Sequence, residues 1–527
     1  MLIIFNLKYE PFMTKNIILA LLFCRAISFA QISDLSELAQ GEAIVFHALV
    51  DKKDKFFGYF SLYDKGLKSS TEKSFEFIIL DKNLTEIIRH SFQAEILISS
   101  YRASLDVNSN IILYPILDYT KKEVQKGNFL FPELKQLDLT SGILDKYLPV
   151  CYENKKLEFC SFDQTLKVME KDSKKERKEN GFIESNRIHK VFNKGFLVFE
   201  YKEFKKFNQN YKISFFNTEK SKLWEHSFGK PIAKNITEQL QILSIDTMHL
   251  CAIRVVKNKS ALKAELLIIE TETGKFLKQE TLKGLKESEL NSIWTMQAEG
   301  TYKYVENIKN QEDNITIIGL TKDDWDIGTG YFRILIDKSN NFNIKYHRFL
   351  WEYDVSRFIT NINQYGKVEK GYKLAIRDLL YTKNGSVFFL FEKFKNTVNF
   401  WTGMPEQKTT DLIILKTDPD FNISVAKVIN KELSKYGTDY LFSQYLNDEN
   451  DIVFFYSDYK KTQGEKDKNW VLFINTIIDG VYNEESINIS SDKHFIAPYI
   501  AKEGYILLRE YSEKSEHNSI RLEKLNY

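Results

Sequence analysis

DLIILKTDPDFNISVAKVI, from Asp411 to Ile429, is the stretch that decides the fold, because it is the unit that the chain repeats. An apolar strand runs to Asp418-Pro419-Asp420, residue types that favour a tight reversal, and a second, alternating strand returns from it. Similar strand pairs recur about eight times, each preceded by two shorter strands. Helical periodicity is weak, and only Lys283 to Leu290 and Asn430 to Tyr436 are candidates for short helical turns.

Eight blocks of four strands predict an all-β fold, most simply an eight-bladed β-propeller. A four-stranded sheet of this size cannot bury its own face, and radial stacking solves that problem at this repeat length. The eighth block ends one strand short, and Gln31 to Ala39 can supply the missing strand. This favours a ring closed by an N-terminal strand over a β-solenoid or a row of sandwiches. Seven blades are the alternative if the second or fifth block is not a blade, and two stacked smaller propellers are less favoured.

The composition supports strands and indicates how they turn. Phe (40) and Tyr (28) are abundant, and aromatic side chains pack well on a pleated surface. Gly (22) and Pro (8) are scarce, so Asn and Asp must form many turns. Asp81-Lys82-Asn83 and Ser339-Asn340-Asn341 are examples.

Residues 1–30 are predicted to be a cleavable signal peptide, which leaves residues 31–527 as a single propeller domain. Ile17 to Cys24 is a short apolar core after Lys15, and Ser28-Phe29-Ala30 provides small residues before Gln31. The true start is either Met1 or Met13. Eight apolar residues are too few to span a bilayer, and no later stretch is apolar enough to do so.

The charge balance of the chain does not indicate nucleic acid or anionic lipid as a partner. The leader contains three bases and one acid, so the mature chain has 71 bases and 71 acids, dispersed along its length. An irregular insert at about residues 151–185 includes the charge-rich run Lys171 to Asn180, which is typical of a solvated loop.

Three cysteines follow the leader. Cys151 and Cys160 are the ends of CYENKKLEFC, a spacing that suits a hairpin staple in an oxidising compartment, and two free thiols are the alternative. Cys251 is expected to be a small core residue, and the absence of CxxC spacing argues against a zinc site.

Binding is expected on one face of the ring. Connections between the second and third strands emerge on the same face as those between blocks, because successive strands run in opposite directions. Insertions on one face of a repeat protein usually mark its binding face. The long links expected there are Lys121 to Asn128, Lys205 to Asn210, Thr321 to Gly330, Lys395 to Thr410 and Lys460 to Asn469.

One of these links carries a candidate metal or ligand site. Asp323, Asp324 and Asp326 surround Trp325, and clustered carboxylates beside glycines can hold calcium. An exposed Trp can stack on a sugar ring. The spacing does not complete a twelve-residue calcium loop, so a polar turn with a packed Trp is the alternative.

A second link contains Phe400, Trp401 and Met404, which form either an aromatic contact patch or a segment folded back on its own blade.

Catalytic signatures are missing. HExxH, GxSxG and GxxxxGK[ST] do not occur, and Ser70-Thr71-Glu72-Lys73 matches SxxK without its partner motifs. His90, His226 and His347 each precede a Phe by two residues, in one shared register. That register places them on the outer strands of different blades, too far apart for a common metal site.

The leader, the Lys, Asn, Ile and Phe bias, and motifs such as NGSVFFLFEKF before DLIILKTDPDFN resemble uncharacterised secreted propeller-like proteins of Bacteroidota. The resemblance implies a Gram-negative envelope location, in the periplasm or outer envelope, and no defined activity. We expect a non-enzymatic binding or scaffold propeller with a protein or glycan partner and no cofactor apart from the calcium considered above. The alternative is a hydrolase or lyase acting on glycans or peptides at the central channel mouth.

Overall fold

The structure is a computed structural model that describes most of the chain after the predicted leader. The described residues are 31–51, 55–118, 133–153, 155–160, 182–204, 210–229, 236–258, 261–296, 305–399, 403–435, 437–447, 450–461, 468–489, 494–512 and 518–526. The predicted signal peptide, Phe400 and Trp401 lie outside these ranges.

Eight four-stranded antiparallel sheets follow one another along the chain. The first strand, β1, is Gln31–Asp34, and a one-turn helix, α1 (Leu35–Leu38), follows it. Blade 1 contains β2 (Glu42–Val50), β3 (Phe56–Leu67), β4 (Glu72–Asp81) and β5 (Glu86–Glu95), and blade 2 contains β6 (Ile98–Leu105), β7 (Ile111–Leu117), β8 (Lys135–Leu137) and β9 (Leu144–Lys146). A hairpin of β10 (Val150–Glu153) and β11 (Lys156–Phe159) follows blade 2. Blade 3 contains β12 (Phe182–Val191), β13 (Gly195–Phe204), β14 (Asn210–Phe216) and β15 (Lys222–Phe228), and blade 4 contains β16 (Ile236–Ile245), β17 (His249–Asn258), β18 (Ala261–Glu270) and β19 (Phe276–Leu282).

The second half repeats the plan. A helix, α2 (Glu287–Thr295), leads into blade 5, which contains β20 (Ile308–Asn310), β21 (Asn314–Lys322), β22 (Gly328–Asp337) and β23 (Asn343–Leu350). Blade 6 contains β24 (Lys373–Tyr381), β25 (Val387–Val398), β26 (Pro405–Thr417) and β27 (Ile423–Ile429), and blade 7 contains β28 (Tyr440–Tyr445), β29 (Ile452–Lys461), β30 (Lys468–Ile478) and β31 (Val481–Asn488). Blade 8 contains β32 (Phe495–Tyr499), β33 (Tyr505–Tyr511) and β34 (Asn518–Lys524).

The N-terminal strand completes the last blade. β1 pairs antiparallel with β34, with Gln31 opposite Leu522 and Asp34 opposite Ser519. The order of this sheet is β1-β34-β33-β32, so β1 takes the outermost position that the fourth strand takes in the other blades. The prediction of an eight-bladed propeller closed by an N-terminal strand is confirmed.

The hydrophobic core lies between blades. In β4, Phe75 and Phe77 face blade 2 and pack with Tyr101, whereas Ile78 and Leu80 face blade 8. Because the third strand is covered on both faces, its sequence is a continuous apolar run. The outer strand β5 alternates between exposed and half-buried residues, as expected for a strand with one covered face.

Acidic and amide side chains form the turns, as the composition predicts. In the turn between the two strands of the Asp411–Ile429 unit, Asp418 Oδ1 accepts hydrogen bonds from the backbone N–H groups of Asp420 (2.9 Å) and Asn422 (2.8 Å). Asp81 Oδ1 does the same for Asn83 (2.7 Å) and Thr85. A carboxylate that binds its own backbone two to four residues on favours reversal, so these two turns need no glycine.

The helical predictions were partly wrong. α2 begins at Glu287 rather than Lys283 and is longer than expected. Residues 430–435 are not helical, because Ser434 pairs with Thr409 through two backbone hydrogen bonds of 2.9 and 3.0 Å. A short π-helical turn (Trp351–Val355) and a 3-10 turn (Glu369–Gly371) were not predicted.

Candidate binding face

One face of the ring carries both the connections between second and third strands and those between blades, and we call it the loop face. Each predicted long link joins the second strand of a blade to the third. Three of them are shorter than the sequence indicated, because cross-strand pairing continues to Lys322, Val398 and Lys461. Residues 323–327 are all that separates β21 from β22, and residues 399–404 separate β25 from β26.

On this face α2 lies against blade 5, and its position is fixed by the core. Leu290 and Ile293 are buried in the hydrophobic cluster between blades 4 and 5. The backbone N–H of Lys286 donates to Glu289 Oε2 at 3.0 Å, a carboxylate that satisfies the start of the helix from within its first turn. The first turn of α2 is therefore held at the surface of a rigid core.

Two buried polar side chains join α2 to β21. Ser292 Oγ donates to the Glu289 carbonyl (2.6 Å) and accepts from the Leu320 N–H (2.8 Å). Asn307 Nδ2 donates to the carbonyls of Ile293 and Ile318, both at 2.7 Å. Buried polar groups with satisfied hydrogen bonds rigidify the elements that they connect.

Between α2 and the turn at residues 323–327 there is an open cleft of about 470 Å³. Four carboxylates and two lysines give it a net charge of −2, and a hydroxyl and an amide complete the lining. The lining residues are Lys286, Glu287, Ser288, Asn291, Lys322, Asp323, Asp324 and Asp326. The cleft thus offers closely spaced hydrogen-bond donors and acceptors.

The three predicted calcium ligands bind different partners. Asp323 Oδ1 accepts from the N–H groups of Trp325 and Ile327, both at 2.9 Å. Lys286 donates to Asp324 at 2.7 Å and Lys322 to Asp326 at 2.9 Å, and each hydrogen bond lowers the pKa of its carboxyl group.

Within the described ranges, no group of three or more His, Cys, Asp or Glu side chains is arranged to hold a metal ion. Calcium binding by Asp323, Asp324 and Asp326 stays a prediction.

Trp325 lies at the tip of this turn with 84% of its surface exposed. Asp326 follows it with φ 65°, in the left-handed region that a tight turn requires. The indole is not packed against its own blade, and its chain neighbours Asp324 and Asp326 line the cleft.

Further exposed apolar side chains lie on the loop face of blades 5 to 7. Their positions are the turns, links and strand ends of that face, and they are Ile327, Tyr353, Phe358, Val398, Met404, Leu433 and Trp470. Met404 is 67% exposed, whereas the predicted ligand-binding residues Phe400 and Trp401 lie outside the described residues. Exposed aromatic and aliphatic groups of this kind mark interaction surfaces when they cluster.

Beneath this face lies a buried ionic network that the sequence did not indicate. Lys431 and Glu392 are both fully buried and lie 3.2 Å apart. Arg377 Nε donates to Glu392 at 2.7 Å, and Lys431 also binds Asp439, whose pKa is raised by burial. The network attaches residues 430–439, the link between blades 6 and 7, to the interior of blade 6.

The innermost strands of blades 6 and 7 meet at another polar contact. The Tyr440 hydroxyl hydrogen-bonds to Asp378 and lies 2.8 Å from Ser443 Oγ. Burial, followed by the nearby Asp378 charge, raises the pKa of Tyr440 well above its usual range, which keeps the phenol protonated as a donor. The contact joins two blades beside the channel.

The cysteines follow the predicted pattern in space. Cys151 and Cys160 are joined by a disulfide at the open end of the β10–β11 hairpin. Cys251 is a free, buried thiol in the cluster between blades 4 and 5, and burial raises its pKa.

No helix in the described residues is long and apolar enough to cross a membrane.

No protein-family model and no curated protein matches the chain. Among solved structures, the chain is similar to the β-propeller domain of the trilobed protease from Pyrococcus furiosus, with 12% identity, 88% of this chain and 96% of that chain covered, and a TM-score of 0.29. It is also similar to a fungal alcohol oxidase in complex with copper (8% identity, 94% and 76% covered, TM-score 0.30). A third similar structure is the NanB sialidase from Streptococcus pneumoniae, with 10% identity, 94% of this chain and 97% of that chain covered, and a TM-score of 0.24. These likenesses carry no argument about function, and the fold assignment rests on the sheet topology.

Proposed function

We propose that this protein is a non-enzymatic binding propeller that holds a glycan on its loop face, in the cleft beside Trp325. The observation that carries the proposal is the pairing of an indole that is 84% exposed with an open polar cleft of about 470 Å³. An aromatic face exposed to water costs hydrophobic free energy, which a ligand that covers it recovers.

The chemistry of the cleft favours a sugar over an apolar or a strongly charged ligand. Lys286 with Asp324, and Lys322 with Asp326, each place an ammonium donor beside a carboxylate acceptor. A pair of adjacent sugar hydroxyls can donate to the carboxylate and accept from the ammonium, while the C–H face of the ring lies on Trp325. Because Asp324 and Asp326 each already have a lysine partner, the attraction of a cationic ligand to these two carboxylates is reduced.

Rigidity supports affinity. α2 is joined to β21 by Ser292 and Asn307, so its side of the cleft is ordered before any ligand arrives. Preorganisation reduces the entropy lost on binding.

The proposed location is the envelope of a Gram-negative bacterium, after export. Two features support it: the signal-like residues 1–30 and the Cys151–Cys160 disulfide, a bond that persists in oxidising compartments.

The test uses residues 31–527, labelled with a fluorophore and applied to an array of bacterial envelope glycans, with calorimetric titration of each glycan that binds. Trp325→Ala is expected to weaken binding at least about tenfold, since loss of an aromatic stacking contact of about 1.4 kcal/mol corresponds to that factor. Phe192→Ala is the matched control, because Phe192 is also an exposed aromatic residue (48%) but lies in a first-to-second-strand turn on the opposite face.

Equal affinities of the wild type and Trp325→Ala would contradict the proposed site. Release of reducing ends from a bound glycan would instead favour the hydrolase alternative.

A further inference from the structure

Seven of the eight junctions between blades share one design. In each, a single cluster of buried hydrophobic side chains contains residues from both neighbouring blades. The junction between blades 2 and 3 differs. Among the described residues, the cluster there joins blade 3 to the β10–β11 hairpin instead of to a blade 2 strand.

The strand lengths of blade 2 explain the difference. Its third and fourth strands, β8 and β9, have three residues each, whereas the third strands of the other blades have seven to thirteen. A three-residue strand presents one or two side chains to its neighbour. Among the described residues, the outer strands of blade 2 are therefore too short to cover the apolar side of blade 3.

The hairpin provides that cover. Tyr152 and Leu157 are both buried, and they pack against Phe196, Val198 and Phe216 of blade 3. The Tyr152 ring meets Phe216 edge-on, with centroids 5.9 Å apart.

A polar contact fixes the orientation of the hairpin: Asn186 Nδ2 on the innermost strand of blade 3 donates to the Tyr152 carbonyl at 3.4 Å. A direct link between the two blades comes from Lys190 and Asp106, 3.0 Å apart.

The hairpin itself is short and depends on its staple. Each of its strands has four residues, and an isolated two-stranded hairpin is marginal in water. Cys151 lies in β10, and Cys160 comes directly after β11, where its N–H donates to the Pro149 carbonyl at 2.9 Å. The disulfide thus holds together the end of the hairpin that opens toward the rest of the chain.

We propose that the Val150–Phe159 hairpin is a wedge that closes the ring between blades 2 and 3, and that its disulfide makes this closure depend on oxidation. A dithiol that reduces the bond supplies two electrons and two protons. The Sγ–Sγ bond breaks, two thiols form at Cys151 and Cys160, and the dithiol becomes a cyclic disulfide. The released hairpin then exposes the apolar side of blade 3, while the other seven junctions stay closed.

The test is hydrogen–deuterium exchange on residues 31–527, oxidised and after treatment with dithiothreitol. Reduction is expected to accelerate amide exchange in β10 and β11 on the order of a hundredfold, the factor for losing a cross-link around a short loop, with smaller increases in β13 and β14. Exchange in β18 and β22, at the junction of blades 4 and 5, is expected to stay constant. Alkylation verifies the reduction: Cys151 and Cys160 become labelled, and buried Cys251 does not.

A pair of variants separates the wedge from the disulfide. Tyr152→Ala keeps both cysteines but removes the buried ring, so it is expected to accelerate exchange in β13 and β14 without reductant. Lys156→Ala, at an exposed position on the same hairpin, is the control and should leave those strands unchanged. Unchanged exchange in β10, β11, β13 and β14 after verified reduction would overturn the redox part of the proposal. Unchanged exchange in Tyr152→Ala would overturn the wedge.

Discussion

The Nε2 atom of His90, on the outer strand of blade 1, lies 2.7 Å from the carbonyl oxygen of Gly142, in the last turn of blade 2. The same bond recurs two blades later, where His226 Nε2 lies 2.6 Å from the Gly274 carbonyl. A histidine of one blade thus holds the third-to-fourth-strand turn of the next. This explains the shared register of the histidines, and it leaves each in its own junction, away from any common metal site.

At the third of these histidines, His347, a different side chain makes the contact with the next blade. His347 faces Arg333 across the strand pair, and it is Arg333 that reaches blade 6, donating to the carbonyls of Gly385 (2.9 Å) and Pro419. The fully buried guanidinium lies over the Phe421 ring at 5.0 Å, and burial lowers its pKa to about 10. Blades 1 and 2, and blades 3 and 4, are therefore joined by a histidine, whereas an arginine joins blades 5 and 6 and binds two turns of blade 6.

His90→Ala is expected to lower the free energy of unfolding by about 1 kcal/mol, because it removes one hydrogen bond to a backbone carbonyl that then lacks this donor. The matched control is His347→Ala, in the same register but with Arg333 making the contact to the next blade. Urea denaturation of both variants checks the difference. A loss for His347→Ala as large as that for His90→Ala would contradict the role given to the carbonyl contact.

Lys431→Met is expected to cost roughly 3–5 kcal/mol, because it leaves Glu392 and Asp439 with one buried cation fewer. Lys435→Met is the control on the same link: Lys435 is half exposed and lies 3.9 Å from Glu406, so its loss should cost less than about 1 kcal/mol. Denaturant midpoints measure both. Similar midpoints for the two variants would show that the buried network does not hold residues 430–439.

Stability is expected to fall as the pH is lowered below about 6.5, in part because of His47. Burial lowers its pKa below the ordinary 6.5, and its ring already has two neighbours: Nδ1 lies 3.0 Å from the Ala48 carbonyl, and Nε2 accepts from the Ala103 N–H at 3.3 Å. In this range the unfolded chain binds the proton more readily than the folded chain does. The stability is therefore present above pH 6.5 and is lost as the pH falls toward the folded-state pKa.

His47→Gln checks this contribution. We expect unfolding free energies measured between pH 5 and 8 to depend less steeply on pH in the variant than in the wild type. Because His249 and His347 also have lowered pKa values, some dependence should persist. An unchanged slope in His47→Gln would contradict the assignment.

The repeat could be predicted from the sequence because its signals are local. Turn residues such as Asp81 and Asp418 act within five residues of themselves, and strand periodicity needs only neighbouring positions. The closing strand Gln31–Asp34 followed from counting, since one block lacked a strand. Even the histidine register was visible, because His90, His226 and His347 each stand two residues before a Phe.

What the sequence did not indicate depends on contacts distant along the chain. Lys431 and Glu392 read as ordinary surface residues, and only the packing of blade 6 buries them. The Cys151–Cys160 spacing indicated a stapled hairpin but not its place against blade 3, which depends on how short blade 2 is. The cleft near Trp325 forms because α2 lies beside a turn that is more than thirty residues further along the chain.

The turns at Gly142 and Gly274 give a matched pair for testing the contact between blades. Both glycines have φ 72°, and both carbonyls accept from a histidine of the preceding blade. An added Cβ at Gly142 would meet only Ile88 Cδ1, at 3.5 Å, whereas one at Gly274 would lie 2.6 Å from the Trp224 indole.

Trp224 cannot move away freely, because its Nε1 donates to the Thr271 carbonyl at 2.9 Å. Gly142→Ala is therefore expected to cost about 1–2 kcal/mol, the strain of a left-handed backbone. Gly274→Ala should cost a further 1–3 kcal/mol or so, because the added methyl group overpacks the junction. Urea denaturation measures both, and the double variant Gly274→Ala with Trp224→Ala isolates the contact: without the indole, the glycine substitution should cost no more than it does at position 142. If the extra cost at Gly274 persists without Trp224, the source of the strain lies in the turn itself and not in the packing of blade 3 against blade 4.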